Sequence, residues 1–305
     1  MCDIIVIGAG TAGLSAAIYG LRAGKRVLLL EERSYGGQII NTPEIENYPG
    51  IKRISGFEFA TNLYEQAVSL GAVLICEKVV GITGQSGKKT VKTDKREYTA
   101  KSVILATGAK NRPLGLEREK ELTGFGVSYC ATCDGAFFRD KEVAVVGGGN
   151  TALEDAVFLS QSCKKVYVIH RRNEFRGEKK LVDALAEKTN VEFVLDSTVT
   201  TLCGEKKLEA IETRNRETKE TRKIGVEGLF IAIGQMPDNE AFFPLVELDE
   251  YGYICAGEDC KTKTAGIFAA GDCRTKAVRQ LTTAAADGAV AALGACEYLE
   301  GEVEE

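Results

Sequence analysis

The sequence is short of histidine, of proline and of positive charge. His170 is the only histidine among 305 residues, and there are 5 prolines. A cysteine hydrolase needs a base beside its nucleophile, and one histidine far from the closely spaced cysteines does not supply it. The formal net charge of −5 gives no support for a nucleic-acid partner. No apolar run reaches the length of a membrane span. The stretch Ile4-Ile5-Val6-Ile7 follows an acid, Asp3, and runs straight into a glycine turn, as a core strand does and a signal peptide does not. With no export signal, the cytoplasm is the expected location. What remains is an ordinary globular composition, 44% apolar and 27% charged with 33 glycines, in a chain long enough for two domains.

Ten cysteines in a chain without an export signal point to a reducing compartment, where most of them serve as small buried hydrophobes. Only Cys130/Cys133 and Cys255/Cys260 are closely spaced. A four-cysteine zinc site is one reading of these pairs. The flanks of the second pair, Tyr-Gly-Tyr-Ile-Cys-Ala-Gly-Glu-Asp-Cys, read instead as a hairpin and a loop. The first pair lies in Cys130-Ala131-Thr132-Cys133-Asp134. At a helix start, positions i and i+3 share one face and lie within disulfide reach. A helix N-terminus also lowers a thiol pKa, which favours exchange chemistry. Asp134 is an acid placed to move protons on and off these sulfurs. The plain alternative is two structural cysteines.

A degenerate internal repeat runs through the chain. The first copy is a strand over Asp3–Ile7, the turn Gly8-Ala9-Gly10-Thr11-Ala12-Gly13, a helix through Leu14–Ala23 and a strand, Arg26–Leu30, ending in Glu31. Ser102–Ala106 is a later apolar strand of the same copy. The second copy is a strand over Glu142–Val146, the turn Gly147-Gly148-Gly149-Asn150-Thr151-Ala152, a helix through Leu153–Gln161 and a strand, Lys165–Ile169. It closes on Leu229–Ile233 and Gly234. Each copy is a βαβ unit of a doubly wound parallel sheet. Gly266–Asp272 reads as a strand and Leu281–Leu299 as a helix, and they repeat neither copy's start. The expected fold is therefore α/β, with two doubly wound Rossmann-like dinucleotide-binding domains, the second inserted in the first. The first domain spans 1–110 plus 240–305, the second 111–239. The crossings near Lys110–Pro113 and Gln235–Asn239 form an expected hinge.

In the first turn, Gly8, Gly10 and Gly13 let the backbone approach a pyrophosphate at a helix N-terminus. Ala12 stands among them. Glu31 lies at about the 20-residue distance at which a carboxylate takes ribose hydroxyls, and Glu32 is its rival. In the second turn, Gly147, Gly149, Asn150, Thr151 and Ala152 occupy the matching places. Arg171 and Arg172 stand where the first copy has Glu31, with Arg176 one turn on. Guanidinium groups bind a 2′-phosphate where a carboxylate would repel it. The second turn is thus expected to take NADPH; a solvated basic stretch is the bland alternative. His170, beside the arginines, has an expected structural or phosphate-side role.

With these residues in hand, the chain resembles the low-molecular-weight NADPH-dependent thioredoxin reductases of bacteria. The resemblance covers essentially the whole length. It is carried by Gly8–Gly13, Gly36-Gly37-Gln38, Glu44–Gly50, Ala106-Thr107-Gly108, Cys130–Gly135, Gly147–Ala152, His170-Arg171-Arg172 with Arg176, Ala270-Gly271-Asp272 and Arg279-Gln280. It implies FAD in the first domain, lined by Gly37, Gln38, Asn47, Thr107, Gly108, Gly271, Asp272, Arg279, Gln280 and Leu281. It implies NADPH in the second, with Ile233 and Gly234 closing that site. Electrons would pass from NADPH to FAD, to the Cys130–Cys133 disulfide and on to thioredoxin. Cys133 would lie nearer the flavin and Cys130 would attack the partner. Phe137 and Phe138 fall where the family presents an apolar docking loop. Phe125 departs from relatives with a basic residue there. The resemblance also implies a homodimer.

Overall fold

The structure is a computed structural model, and it describes residues 2–42, 44–85 and 87–301. The last four residues of the expected first domain lie outside these. The chain divides into two compact units, residues 1–110 with 236–305, and residues 111–235.

The first unit opens with β1 (Cys2–Ile7), whose Ile4, Ile5 and Val6 are fully buried, as the central strand of a two-faced parallel sheet requires. There follow α1 (Thr11–Arg22), β2 (Val27–Glu31), α2 (Gly56–Ser69), β3 (Val73–Cys76), β4 (Val79–Gln85), β5 (Lys88–Thr93) and β6 (Glu97–Leu105). Strand β7 (Ala109–Asn111) leads into the second unit. That unit holds α3 (Glu119–Leu122), β8 (Val127–Ser128), α4 (Ala131–Asp134), β9 (Glu142–Val146), α5 (Asn150–Leu159), β10 (Lys165–Ile169), α6 (Lys179–Ala186), β11 (Val191–Val194), β12 (Ser197–Cys203), β13 (Ala210–Asn215), β14 (Thr221–Gly225) and β15 (Gly228–Ile231). The chain returns through β16 (Gln235–Pro237), which pairs with β7, and ends with β17 (Ile267–Ala269) and α7 (Leu281–Gly301).

The parallel strands of the first unit run in the order β3-β2-β1-β6-β17. Those of the second run β11-β10-β9-β15-β8. Each unit adds an antiparallel meander, β4-β5-β6 in one and β12-β13-β14 in the other. Strand β6 is long because it joins both parts of the one seven-stranded sheet: its first half pairs with β5 and its second half with β17.

Register places the turns. Ile7 pairs with both Leu30 and Leu105, and Val146 with both Ile169 and Ile231. The strands of each unit therefore end level. Gly8, Glu31 and Ala106 emerge together at one carboxyl edge, and Gly147, His170 and Ala232 at the other. That edge is where doubly wound sheets bind ligands.

The second crossing lies at Gln235/Met236, ahead of the expected 239/240 boundary. Asn239 is 1% exposed and belongs to the first unit. Its amide donates to the Gly252 and Cys273 carbonyls at 2.9 and 3.0 Å and accepts from Thr107 Oγ1 at 2.9 Å. A polar residue read as linker is a buried fastener.

Candidate active site

The two nucleotide helices begin without caps. Gly10 precedes α1 and Gly149 precedes α5; neither offers a side chain to the first N–H groups, and neither first turn contains an acid. By contrast, α2 starts with Ser55, whose hydroxyl accepts from Glu58 N at 3.1 Å. Uncapped N–H groups plus the helix dipole make an anion site.

Close packing explains some glycines and leaves others to a ligand. A Cβ on Gly13 would lie 1.8 Å from the Gly8 carbonyl oxygen, so the first turn closes on itself. Gly10 would meet nothing nearer than Gly37 Cα at 3.9 Å, and Gly149 meets nothing within 4 Å. Both open glycines stand at the helix starts, where backbone is free to approach a pyrophosphate.

In the first unit, residues distant in sequence meet around the first turn. Glu31 Oε2 accepts from Ala9 N at 2.9 Å. Gln38 Nε2 donates to the Ala109 carbonyl, and Asn47 Nδ2 to Gln280 Oε1 at 3.3 Å. Ala12 lies beneath Gly271, where a Cβ would come within 2.8 Å of the Ala12 methyl. Gly108 and Gly37 have positive φ, and Leu281 is the first residue of α7. Asp272 Oδ1 is buried without a hydrogen-bond partner among the described residues. Burial raises the Asp272 carboxyl pKa; Lys276 and Arg279 pull it down. An orphaned carboxylate oxygen beside an open nucleotide turn fits the hydroxyl-rich chain of a flavin dinucleotide.

Sequence reasoning missed the brace behind Asp272. Asp287 accepts from Gly271 N at 2.9 Å, from Arg274 Nε and Nη2 at 2.8 Å each, and from Lys276 Nζ at 2.8 Å. This buried charge cluster ties α7 to the Gly271 turn. Arg279 extends it, with its guanidinium 4.0 Å from the Tyr253 ring centroid and Nε donating to the Asp272 carbonyl at 3.4 Å. Three basic side chains within a short loop were the available signal.

In the second unit, Cys130 and Cys133 form a disulfide with their Cα atoms 5.3 Å apart. Cys130 is the N-cap of the one-turn helix α4. Ala131 is 1% exposed and packs with Ala152, Ala156 and Leu159 of α5. Gly135 fits under Phe158, whose ring a Cβ would approach to 2.9 Å. The disulfide segment is thus seated on the helix that starts at the second glycine turn. Ser128, unmarked in the sequence, orders it: its hydroxyl donates to Asp134 Oδ2 at 2.6 Å and accepts from Cys130 N at 3.1 Å. Burial pushes the Asp134 carboxyl up, and the Ser128 bond pulls it partly back.

Arg171, Arg172 and Arg176 are exposed, and among the described residues none of their guanidinium groups pairs with a carboxylate. The register corrects one expectation. The residue level with Glu31 is His170, and the arginines follow it by one and two places. At the end of β15, Ala232 N donates to the Val146 carbonyl and Gly234 O accepts from Arg112 N, with Ile233 half-buried between them. Of the two expected docking phenylalanines, Phe137 is exposed. Phe138 turns inward, edge-on to Phe230 with ring centroids 5.3 Å apart, because Gly228 leaves room for it.

Two dinucleotide turns on level parallel sheets, with a disulfide seated on the helix of one, define a dinucleotide-binding oxidoreductase. The pyridine nucleotide-disulphide oxidoreductase family profile matches residues 2–288, and the chain belongs to that family. It is 42% identical over 310 residues to a protein named thioredoxin reductase from Peptoclostridium acidaminophilum, covering 99% of this chain and 98% of that one. It is 42% identical over 299 residues to the thioredoxin reductase of Treponema pallidum (strain Nichols), covering 98% and 97%. Among solved structures, the thioredoxin reductase of Streptococcus pyogenes MGAS5005 matches with a TM-score of 0.93 at 41% identity, covering 99% of each chain.

Proposed function

We propose that the protein is an NADPH-dependent thioredoxin-disulfide reductase that holds FAD in its first unit and carries the redox pair Cys130–Cys133 in its second. FAD, when bound, supplies a two-electron relay between a nicotinamide and a protein disulfide. The chain's own residues hold, orient and protonate. Gly10, Glu31 and the open start of α1 take the adenosine and pyrophosphate half of the flavin dinucleotide. Asp272, Arg279, Gln38, Asn47 and Gln280 line the rest. The start of α5 at Gly149 takes the coenzyme pyrophosphate, and Arg171, Arg172 and Arg176 take its 2′-phosphate.

Reducing the disulfide breaks the Sγ–Sγ bond and takes up two electrons and two protons. Asp134 supplies and removes the proton at the sulfurs, a task suited to a carboxyl with a raised pKa. The Cys130 thiolate then attacks the thioredoxin disulfide and forms a mixed disulfide. Cys133 attacks Cys130, the internal bond re-forms, and thioredoxin leaves with two thiols. Eight unpaired cysteines support a reducing cytoplasmic setting. Among the described residues no helix is long and apolar enough to cross a membrane. The family resemblance supports a homodimer.

The observation that carries this reading is the disulfide seated on the nucleotide helix α5. The test is steady-state turnover with a thioredoxin and either NADPH or reduced ferredoxin. A relative named ferredoxin-flavin thioredoxin reductase, from Clostridium acetobutylicum, is 28% identical with a TM-score of 0.55. We expect turnover with NADPH alone, because unpaired arginines flank the second turn. Turnover with ferredoxin and none with NADPH would overturn the donor; no thioredoxin reduction with either would overturn the activity.

A further inference from the structure

The strand that leads into the disulfide, β8, ends at Ser128, which is 4% exposed. Its hydroxyl meets three groups of the redox segment. It lies 2.6 Å from Asp134 Oδ2 and 3.3 Å from the Cys130 carbonyl oxygen, and it accepts from Cys130 N at 3.1 Å. A hydroxyl has one proton to give and two lone pairs to receive with. One proton cannot serve Asp134 and the Cys130 carbonyl at full strength together. With Asp134 ionised, the proton goes to the carboxylate, in the shorter, charge-assisted bond. With Asp134 protonated, the carboxyl is itself a donor. The Ser128 oxygen then accepts from it as well as from Cys130 N, and the hydroxyl proton turns to the Cys130 carbonyl. Every donor and acceptor of the cluster has a partner in either state.

Such a partner suits a group that must give and retake a proton. A lysine, an arginine or a backbone N–H beside Asp134 would hold it ionised, and a carbonyl would hold it protonated. The other surroundings carry no charge. Burial raises the Asp134 pKa, the Ser128 bond lowers it, and no charged side chain among the described residues contributes. The α5 side chains against the segment are Ala152, Ala156, Leu159 and Phe158. The titratable neighbours are occupied elsewhere. Tyr129 donates to Glu119 Oε1 at 2.6 Å. On α5, burial and then Glu154 push the Asp155 carboxyl up to about 7. In the reduced protein the Cys130 and Cys133 thiols titrate as well.

We propose that Ser128 is a positioning residue that keeps Asp134 in one place through both of its protonation states, reversing its hydrogen bond as the proton leaves and returns. This rests on reading Asp134 as the proton carrier of the redox pair. Opening the Sγ–Sγ bond takes up two electrons from the reduced flavin and two protons, one from Asp134 and one from solvent. The carboxylate left behind is then held by the Ser128 proton. When Cys133 attacks Cys130 and the bond re-forms, the Cys133 thiol gives its proton back to the carboxylate. The departing thioredoxin sulfur takes one from solvent. Without Ser128, a half-buried carboxylate would lose its only hydrogen-bonding side chain for part of every turnover.

The test follows the Asp134 proton directly and then in the reaction. Infrared titration of the flavin-loaded protein gives the midpoint of the carboxyl band that disappears in Asp134→Asn, whatever the electron donor. Stopped-flow reduction by NADPH across pH gives the rate of disulfide opening, which should fall as pH rises through that same midpoint, because the acid form supplies the proton. The bond to the ionised form is the stronger, so Ser128→Ala should raise the midpoint by about one pH unit, roughly tenfold in proton affinity. Its rate limb should move up with it, and its plateau should drop by less than that of Asp134→Asn. Ser128→Thr, which keeps the hydroxyl, should restore both positions. A Ser128→Ala midpoint that stays put or falls overturns the inference, even if the rate is lower, since a merely structural loss would do that. If Ser128→Ala does not fold, a midpoint displaced in Ser128→Thr overturns it equally. A wild-type limb that survives in Asp134→Asn belongs to Asp155 or a thiol; Asp134 is then not the proton carrier, and the inference falls with that reading.

Discussion

The two glycine turns share one backbone plan and differ in everything around it. The first is braced on several sides, with the start of α1 at Gly10 left open. Gly13 abuts the Gly8 carbonyl, Glu31 holds Ala9, and the Asp287 cluster fastens α7 over Gly271. The second is open. Its third glycine position is Ala152, Gly149 faces free space, and three guanidinium groups stand exposed. The contrast fits a site that retains its dinucleotide beside one that exchanges it. Retention and exchange are written in the neighbours of a turn, and the glycine motif alone does not distinguish them.

Four expected outcomes probe that contrast, in falling order of effect. Cys130→Ser or Cys133→Ser should cut thioredoxin reduction by at least about 10³-fold, because resolution needs both thiols. Both turns should still bind their dinucleotides, as titration of each would show. Next, Gly13→Ala and Gly149→Ala should part company. The first forces a methyl into a carbonyl and should cost about 3 kcal/mol or more of stability, with loss of flavin on heating. The second should leave the melting transition in place and raise the NADPH KM alone. Equal behaviour of the two would remove the distinction drawn here. Replacing Arg171, Arg172 and Arg176 together with alanine should lower kcat/KM for NADPH roughly tenfold or more and leave NADH little changed.

The smallest effect is on stability. Because the folded Asp134 pKa is raised by burial, its protonated form favours the fold. That contribution is complete below the unfolded value of about 3.9 and is lost as pH rises through the folded value. At pH 7 the buried charge is a liability. Asp134→Asn should therefore melt at or above wild type at pH 7 and lose that advantage near pH 3. A variant that is less stable at pH 7 and not at pH 3 would show the opposite sign.

Much of this was legible in the sequence. The strands Glu142–Val146 and Lys165–Ile169 fall where apolar runs bounded by turns placed them. Both nucleotide helices begin about three residues earlier than read, at Thr11 and Asn150, because the helix takes in the glycine turn itself. What stayed hidden depends on contacts across the chain. Asn239 looked like linker until its three partners appeared. Asp287 is an ordinary acid on a helix until Arg274 and Lys276 close on it. The level of His170 with Glu31 is a matter of sheet register, and counting along one strand misassigned that place to the arginines.

As proposed, the flavin and the Cys130–Cys133 disulfide form one electron chain fed by NADPH. Anaerobic titration with NADPH, followed by visible absorbance, tests it directly. Each of the two centres takes two electrons, and each NADPH delivers two, so wild type should need about two equivalents to bleach fully. The Cys130→Ser/Cys133→Ser variant should need about one. A wild type that bleaches fully at one equivalent, with its disulfide intact by thiol count, would contradict the account.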